Sequence, residues 1–345
     1  PWADDPTAQI IHDCYTREGD PHPLATRNVL RRILKLYEAE GWRPEVAPEV
    51  EFYLVQKNLD PDNELQAPIG RSGRREAGRQ SYSIDAVNEF EDIIEEMYDF
   101  CEAQNLDVDT LIHESGIAQM EINFLHGDAL DLADQVFVFK RTMRETALRH
   151  DIYASFMAKP MEHEPGSALH MHQSIVDIET GQNIFSDEEG NEHPRFRHFI
   201  GGLQKFTPEA IALFAPSVNS YRRFTPDIAA PINLHWGYEN RTTGIRIPDS
   251  DAQARRVENR FPGADANPYL AIAVSLACGY LGMKQKLGAS EPHEGDAFLE
   301  PIALARSLEE ALRLLEQDND LTDVLGPLFV KAYVAVKREE FEAFN

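Results

Sequence analysis

Hydrophobic residues recur at helical spacing along much of the chain, with polar residues between them. This spacing places apolar side chains on one face of an α-helix, and it predicts helices at residues 26–40, 84–105, 130–150, 194–214, 267–287, 307–317 and 327–344. The 194–214 stretch is predicted to form two helices, because Thr207, Pro208 and Glu209 resemble the first turn of a second helix. The 267–287 helix is apolar on nearly all sides and is therefore predicted to be buried.

Other segments alternate between apolar and polar residues, which is the pattern of β-strands with one buried face. They contain the sequences EVEFYL, QMEINFL, LHMHQSI, GIRIP and RRVENRF. Their apolar positions can pack against helices, while their polar positions carry carboxylate, imidazole or guanidinium groups. The predicted fold class is α+β, with a curved antiparallel sheet backed by helices and a polar concave face.

The composition excludes some classes of function. The 345 residues include 59 acidic and 33 basic side chains, which gives a formal net charge of −26. No nucleic-acid partner is expected, because binding to phosphates needs a basic surface. The three cysteines lie far apart, which suggests reduced thiols in a cytoplasmic protein. No membrane association is expected either, because the longest apolar stretch, 271–283, is too short to cross a bilayer.

Five glutamates and one histidine occupy polar positions of the alternating segments, namely Glu49, Glu51, Glu114, Glu121, Glu258 and His170. Carboxylates that share one sheet face repel one another unless they are protonated or bind cations. A set of oxygen ligands with one imidazole suits Mg²⁺ or Mn²⁺ better than Zn²⁺. The alternative is that they are scattered surface residues, but their common phase favours a site for one or two divalent cations.

Five arginines fall within a short span that includes one of these glutamates, namely Arg223, Arg241, Arg246, Arg256 and Arg260. Guanidinium groups bind carboxylates and phosphates through paired hydrogen bonds. Together with divalent cations, they can stabilise the charge that develops on a transferred phosphoryl group. The sequence has no P-loop, no Rossmann glycine motif, and no HExxH or GxSxG motif, so those classes are not supported.

Seven separated blocks resemble, in order, the signatures of the glutamine synthetase superfamily. They are EVEFYL, HESGIAQMEIN, FMAKP, GSALHMHQS, NSYRRFTPDIAAPIN, NRTTGIRIP and RRVENRFPGADANPYLAIA. The resemblance covers essentially the whole chain and implies an ATP-dependent ligase that converts glutamate to γ-glutamyl phosphate before an amine attacks. It also implies a homododecamer of two hexameric rings, with active sites between neighbouring subunits, and a small N-terminal β-grasp domain preceding the catalytic domain.

The resemblance implies roles for individual residues. The ligands of one metal ion would be Glu51, Glu114 and Glu121, and those of a second would be Glu49, His170 and Glu258. Glutamate would be held by Gly166 and Arg223, with Arg260 on its γ-carboxylate. The transferred phosphoryl group would contact Arg241 and Arg246, and the nucleotide would lie near His172, Ser174 and Arg256.

Two positions depart from the pattern of family members that use ammonium. Those enzymes carry a glutamate on a flap where this chain has Ala229, and an asparagine where it has Pro165. The flap glutamate helps to deprotonate ammonium, so its replacement by a small residue leaves room for a larger nucleophile. The chain therefore resembles the γ-glutamylpolyamine synthetase branch, and the expected substrates are glutamate and a primary amine.

Two other functions remain open: an ammonium-using glutamine synthetase, and a catalytically silent ring-forming relative with a structural or regulatory role. Retention of all six metal positions argues against the silent relative. The amine is not identified, although Asp227, Trp236 and Glu239 are candidates for contacting the second ammonium group of a diamine. Residues 1–345 are predicted to form one catalytic domain, with 1–25 as the connection from an N-terminal domain that this sequence lacks.

Overall fold

Groups of helices and groups of strands follow one another along the chain in the computed structural model, which describes residues 1–5, 7–58, 60, 62–226, 230–317 and 320–344. The helices are α1 (Thr26–Glu38), α2 (Ile84–Asn88), α3 (Glu91–Ala103), α4 (Ala129–Arg149), α5 (Pro194–Phe214), α6 (Pro268–Gln285), α7 (Leu308–Leu315), α8 (Asp320–Leu325) and α9 (Pro327–Phe344). The strands are β1 (Trp42–Gln56), β2 (Val108–His113), β3 (Gln119–Phe124), β4 (Gly127–Asp128), β5 (Ile152–Ser155), β6 (Leu169–Asp177), β7 (Trp236–Tyr238), β8 (Ile245–Ile247) and β9 (Val257–Asn259). The predicted α+β class is confirmed.

These strands form a sheet with the order β2-β3-β1-β6-β9-β8-β7, and β4 and β5 also pair with β1. The central strand β1 is 15 residues long and runs antiparallel to both β3 and β6. The sheet is antiparallel, as predicted, except at one edge, where β7 and β8 are parallel. A strand of three residues spans only about 10 Å, so the short 239–244 connection can return the chain to the same end of the sheet.

The apolar face of the sheet packs against helices. In β1, the side chains of Val50, Phe52 and Leu54 are at most 1% exposed. Phe139 of α4 lies edge-on to Phe52, with 6.1 Å between the ring centroids. Helix α6 packs against α1, α4 and α5, and its burial confirms the prediction for the 267–287 stretch.

The 194–214 stretch is one helix and not the two that were predicted. Pro208 lies inside α5, where a proline removes one backbone hydrogen bond and costs about 3 kcal/mol. Phe206, Ala210 and Ile211 are buried on both sides of this proline. Packing of α5 against α6 and α7 therefore outweighs the break that the local sequence favours.

The 84–105 stretch, predicted as one helix, is divided into α2 and α3. Ser83 caps α2 by accepting a hydrogen bond from the backbone N–H of Ala86. In a continuous helix the carbonyl of Glu89 would accept from Ile93, but here it accepts from the backbone N–H of Arg71, at 2.9 Å. A loop distant in sequence thus takes the hydrogen bond that would have joined the two helices.

None of the helices in the described residues is both long enough and apolar enough to span a membrane.

Candidate active site

The pairing of the strands brings the predicted acidic residues together. Glu51 of β1 lies opposite Glu121 of β3, and Glu49 of β1 lies opposite His170 of β6. On the next pair of strands, His172 of β6 lies opposite Glu258 of β9. Because side chains alternate across a strand, these groups share the face that points away from the helices. The polar sheet face predicted from the alternation of residues therefore exists as one continuous surface.

Glu49 is held between two imidazoles. Its Oε1 atom lies 2.8 Å from Nε2 of His172, and its Oε2 atom lies 3.4 Å from Nδ1 of His170. Arg256 donates to Nδ1 of His172, at 3.2 Å, so the proton of that ring is on Nε2 and points at Glu49. Burial acts to raise the pKa of Glu49, but the hydrogen bonds with His170 and His172 outweigh it and hold the pKa well below its usual range.

Glu258 is 1% exposed and lies between two arginines. Arg246 donates to its Oε2 atom, at 2.6 Å, and Arg260 donates to its Oε1 atom. Burial is the largest single influence and acts to raise the pKa of Glu258, but the surrounding positive charge, that of Arg260 first, outweighs it in sum and the pKa falls to about 2. Glu258 is therefore ionised, and it fixes two guanidinium groups beside the carboxylate cluster.

Glu51 and Glu121 have the opposite tendency. Burial, followed by the charge of Glu114, raises the pKa of Glu51 to about 8. Burial and the neighbouring carboxylates, Glu49 first among them, also raise the pKa of Glu121. Both carboxylates are thus unfavourable as bare anions in this arrangement. A bound divalent cation would remove that penalty, which is the behaviour expected of a metal site.

The ligand atoms form two groups that could each hold a metal ion. One consists of Glu49, Glu121 and His170 and the other of Glu49, His172 and Glu258, with all ligand atoms of a group within 4.8 Å of one another. These groups differ from the two predicted ligand sets, since both use Glu49 and one includes His172. In the described part of the chain, Glu51 and Glu114 belong to neither group, although both line the adjacent cavity.

This cavity has a volume of about 120 Å³ and contains several of the predicted substrate residues. Its walls include Glu51, Glu114, Glu121, Gly166, His170, Arg223, Arg241 and Arg260. Arg223 is 3% exposed and donates to the carbonyls of Phe261 and Arg260, at 2.7 and 3.0 Å. Its burial lowers its pKa to about 10. A Cβ atom on Gly166 would lie 2.6 Å from Cγ of Arg223, so only glycine allows this close contact.

The residues predicted to contact the nucleotide lie to one side of the cavity. Ser174 follows His172 on the same face of β6, and Arg256 reaches His172 from the start of β9. Arg241, predicted to contact the phosphoryl group, lines the cavity and is exposed.

Two residues of this region were missed by the sequence analysis. Tyr82 lines the cavity, is 63% exposed and has a φ angle of 62°. It follows an irregular loop, so no periodic pattern marks it. Gln119 hydrogen-bonds Glu51, at 3.2 Å. It lies at a polar position of QMEINFL, and this position on the polar face was the only feature of the sequence that could have identified it. A neutral amide is not recognised as a site residue among carboxylates.

Of the four residues considered in connection with the amine, the structure describes two. Ala229 and Asp227 lie outside the described residues. Trp236 is 0% exposed and donates its indole N–H to the carbonyl of Ser290, so its ring is part of the core. Glu239 pairs with Arg246, at 3.0 Å, and therefore contacts a predicted phosphoryl residue.

Comparison with known proteins identifies the family. Residues 23–345 match the family model described as glutamine synthetase, catalytic domain. The chain belongs to the glutamine synthetase family. The predicted resemblance is thereby confirmed, and so is the prediction that the chain is an enzyme of the ligase class.

Members of the family with different substrates are similar to this chain. It is 35% identical over its full length to γ-glutamylputrescine synthetase of Escherichia coli (strain K12), covering 74% of that protein. It is 33% identical over its full length to glutamate–isopropylamine ligase of Pseudomonas sp, covering 76%. A solved structure of apo GmaS without ligand superposes with a TM-score of 0.82 at 30% identity, covering 95% of this chain and 75% of that one.

Proposed function

We propose that this protein is an ATP-dependent ligase that joins the γ-carboxylate of glutamate to a primary amine. The observation that carries the proposal is the meeting of carboxylates with Arg223, Arg241 and Arg260 at one cavity. Arg246 and Arg260 are also paired with Glu258 beside it. Acidic groups suited to divalent cations and guanidiniums suited to anions are both needed to bring a carboxylate and a polyphosphate together. Neither group alone would distinguish this reaction from simple metal binding.

In the proposed reaction, an oxygen of the γ-carboxylate attacks the terminal phosphorus of ATP, and ADP leaves. The amine nitrogen then attacks the carbonyl carbon of γ-glutamyl phosphate, phosphate leaves and the nitrogen loses a proton. Gly166 and Arg223 hold glutamate in this scheme, and Arg260 orients its γ-carboxylate. Arg241 and Arg246 stabilise charge on the transferred phosphoryl group, while His172, Ser174 and Arg256 contact the nucleotide.

We assign the divalent cations to the same carboxylate face. The proposed ligands are Glu49, Glu51, Glu114, Glu121, His170 and Glu258. Mg²⁺ or Mn²⁺ bound there would supply the positive charge that offsets two mutually repelling anions. The chain's own contribution is to fix these ligands on neighbouring strands, with Glu49 held by His170 and His172.

Primary amines are preferred to ammonium in this proposal for two reasons. Two named relatives, γ-glutamylputrescine synthetase and glutamate–isopropylamine ligase, act by their names on organic amines. The sequence also has Ala229 in place of the flap glutamate of ammonium-using members. A second candidate is an ammonium-using glutamine synthetase, because the chain is also 35% identical to glutamine synthetase of Pyrococcus abyssi (strain GE5 / Orsay).

The test is a comparison of nucleophiles at fixed glutamate, ATP and Mg²⁺, with ADP release and the γ-glutamyl product both measured. Ammonium, methylamine, isopropylamine and putrescine form the panel. We expect at least one organic amine to give a higher kcat/KM than ammonium. A higher value for ammonium than for every amine would support the second candidate, and no product with any nucleophile would support the catalytically silent relative.

We also propose a cytoplasmic enzyme that assembles as a dodecamer of two hexameric rings, as the family resemblance implies. Light scattering on the purified protein measures the assembly directly. A monomer at assay concentrations, with full activity, would contradict the dodecamer.

A further inference from the structure

Two buried side chains, Tyr53 and Gln119, connect the separate segments of the cavity wall without lining the cavity themselves. They lie directly opposite each other in the pairing of β1 with β3. Tyr53 is 0% exposed and Gln119 is 1% exposed. The proposed chemistry uses neither of them, although polar groups buried this deeply must each have hydrogen-bond partners.

The amide of Gln119 contacts three different segments. Its nitrogen lies 3.2 Å from Oε2 of Glu51 and 3.0 Å from the carbonyl oxygen of Gly166, both of which are acceptors. Its oxygen accepts from the backbone N–H of Gly116, at 2.8 Å. These partners determine which end of the amide is nitrogen. One side chain thus ties a predicted metal ligand to the turn that follows Glu114 and to the glycine beneath Arg223.

Tyr53 completes the connection from the other strand. Its hydroxyl lies 2.8 Å from the carbonyl oxygen of Pro165 and 3.1 Å from Oε1 of Gln119. The hydroxyl has a single proton, and the shorter contact is the one to Pro165. A Cβ atom on Gly116 would overlap this hydroxyl, so Gly116 is what allows Tyr53 to reach the Pro165–Gly166 turn.

We propose that Tyr53 is a positioning residue for the glutamate substrate, acting through Pro165 and Gly166. This inference rests on the proposed function, in which Gly166 and Arg223 hold glutamate. Gly166 is packed closely against Arg223 and against the carbonyl of Ala158, so any displacement of the 165–166 turn also changes its contact with Arg223. Without the hydroxyl, the carbonyl of Pro165 loses its buried donor, and the glycine that faces the cavity shifts with it.

Tyr53→Phe tests this, because it removes the hydroxyl and leaves the ring in place. Tyr37→Phe is the matched control. Tyr37 is also 0% exposed, and its hydroxyl donates to a backbone carbonyl, that of Leu276, at 2.7 Å and between α1 and α6. Losing one such hydrogen bond should raise the KM for glutamate roughly 3- to 10-fold in Tyr53→Phe. We expect kcat and the KM for ATP to change by less than about twofold.

The control variant should lose a similar amount of thermal stability and keep the glutamate KM of the unmodified protein. Gly116→Ala is a second variant, because it displaces the Tyr53 hydroxyl without removing it, and it should raise the glutamate KM in the same way. Equal glutamate KM values for Tyr53→Phe and Tyr37→Phe would overturn the inference.

A calorimetric titration of the full chain with glutamate separates this inference from the proposed function. If no amine is ligated, the proposed function fails, and weaker glutamate binding in Tyr53→Phe than in Tyr37→Phe would still support the positioning role. Equal binding in the two variants, or no binding of glutamate by the unmodified chain, would overturn the inference.

Discussion

Glu51 and Glu121 face each other across the β1–β3 pair, and each is more than nine-tenths buried. Burial and the charge of Glu114 raise the pKa of Glu51 to about 8. Between the ordinary carboxylate pKa and about pH 8, Glu51 therefore holds a proton in the native protein that it has lost in the unfolded chain. By linkage, this contribution makes stability fall as the pH rises towards 8. A cation bound between the carboxylates would remove that effect.

We expect Mg²⁺ to raise the melting temperature more at pH 8 than at pH 6.5. Burial and then Arg260 lower the pKa of His170 from 6.5 to about 4, so its contribution makes stability rise with pH until just above 6.5 and slightly opposes the effect of Glu51. Burial acts to lower the pKa of His113, but Glu76 acts in the opposite direction and the net pKa is raised. His113 therefore also makes stability fall as the pH rises. Because these other groups also change stability with pH, the readout is the difference in melting temperature with and without Mg²⁺ at each pH. It is measured by thermal unfolding with and without chelator.

Glu51→Gln serves as the comparison for this experiment. The amide cannot ionise, so the variant should show a smaller difference between the Mg²⁺ shifts at the two pH values. Identical Mg²⁺ shifts at both pH values in the unmodified protein would contradict the role given to Glu51.

At the scale of residues, the alternation of polar and apolar positions predicted which side chains share a face but not how they group. Glu49, Glu51 and His170 were expected on the polar face, and the strand register brings them together. Their division into ligand groups depends on the direction of each side chain, and the alternation of polar and apolar residues does not predict that direction. Tyr82 was missed for a different reason: its backbone, at a φ angle of 62°, follows an irregular loop.

At the scale of elements, α5 and α6 cross at glycines. A Cβ atom on Gly202 would overlap the carbonyl of Cys278 and lie 2.7 Å from Cα of Gly282. Gly202→Ala should therefore destabilise the protein by about 1–3 kcal/mol, because overpacking forces the helices apart. Gly288→Ala is the control, since a Cβ atom there meets nothing within 4 Å. Urea unfolding measures both, and equal midpoints for the two variants would contradict the close crossing.

The elements that the sequence analysis predicted wrongly are those that depend on distant partners. The helical hydrogen bonding of α2 ends at Glu89 because its carbonyl accepts a hydrogen bond from the backbone N–H of Arg71. No residue within 84–105 indicates that the helix should be interrupted there. Pro208 gives the opposite error, since a local break signal is overcome by the packing of α5. Helix spacing alone was sufficient for α1 and α4, whose apolar faces contact the core directly, and the apolar character of α6 on nearly all sides correctly predicted its burial.

At the scale of the whole molecule, the site is assembled from segments that are far apart in the chain. Glu49 and Glu258 supply ligand atoms within one group, although some two hundred residues separate them. The site therefore exists only when the entire sheet is formed. Ligand binding must then stabilise the native state as a whole, by about 2.7 kcal/mol when the free ligand is at 100 times its Kd.

This coupling predicts how variants respond to Mg²⁺ with a non-hydrolysable ATP analogue. Gly202→Ala lies in the helical layer, away from the carboxylates, so it should lower the baseline stability and keep the full ligand-induced shift. Glu258→Gln should lose most of the shift, because it removes a carboxylate that holds both Arg246 and Arg260. Thermal unfolding of the unmodified protein and the two variants, with and without ligand, measures both the baseline stability and the ligand-induced shift. An unchanged shift in Glu258→Gln would separate nucleotide binding from the carboxylate cluster, and the proposed site would then have to be placed elsewhere on the sheet.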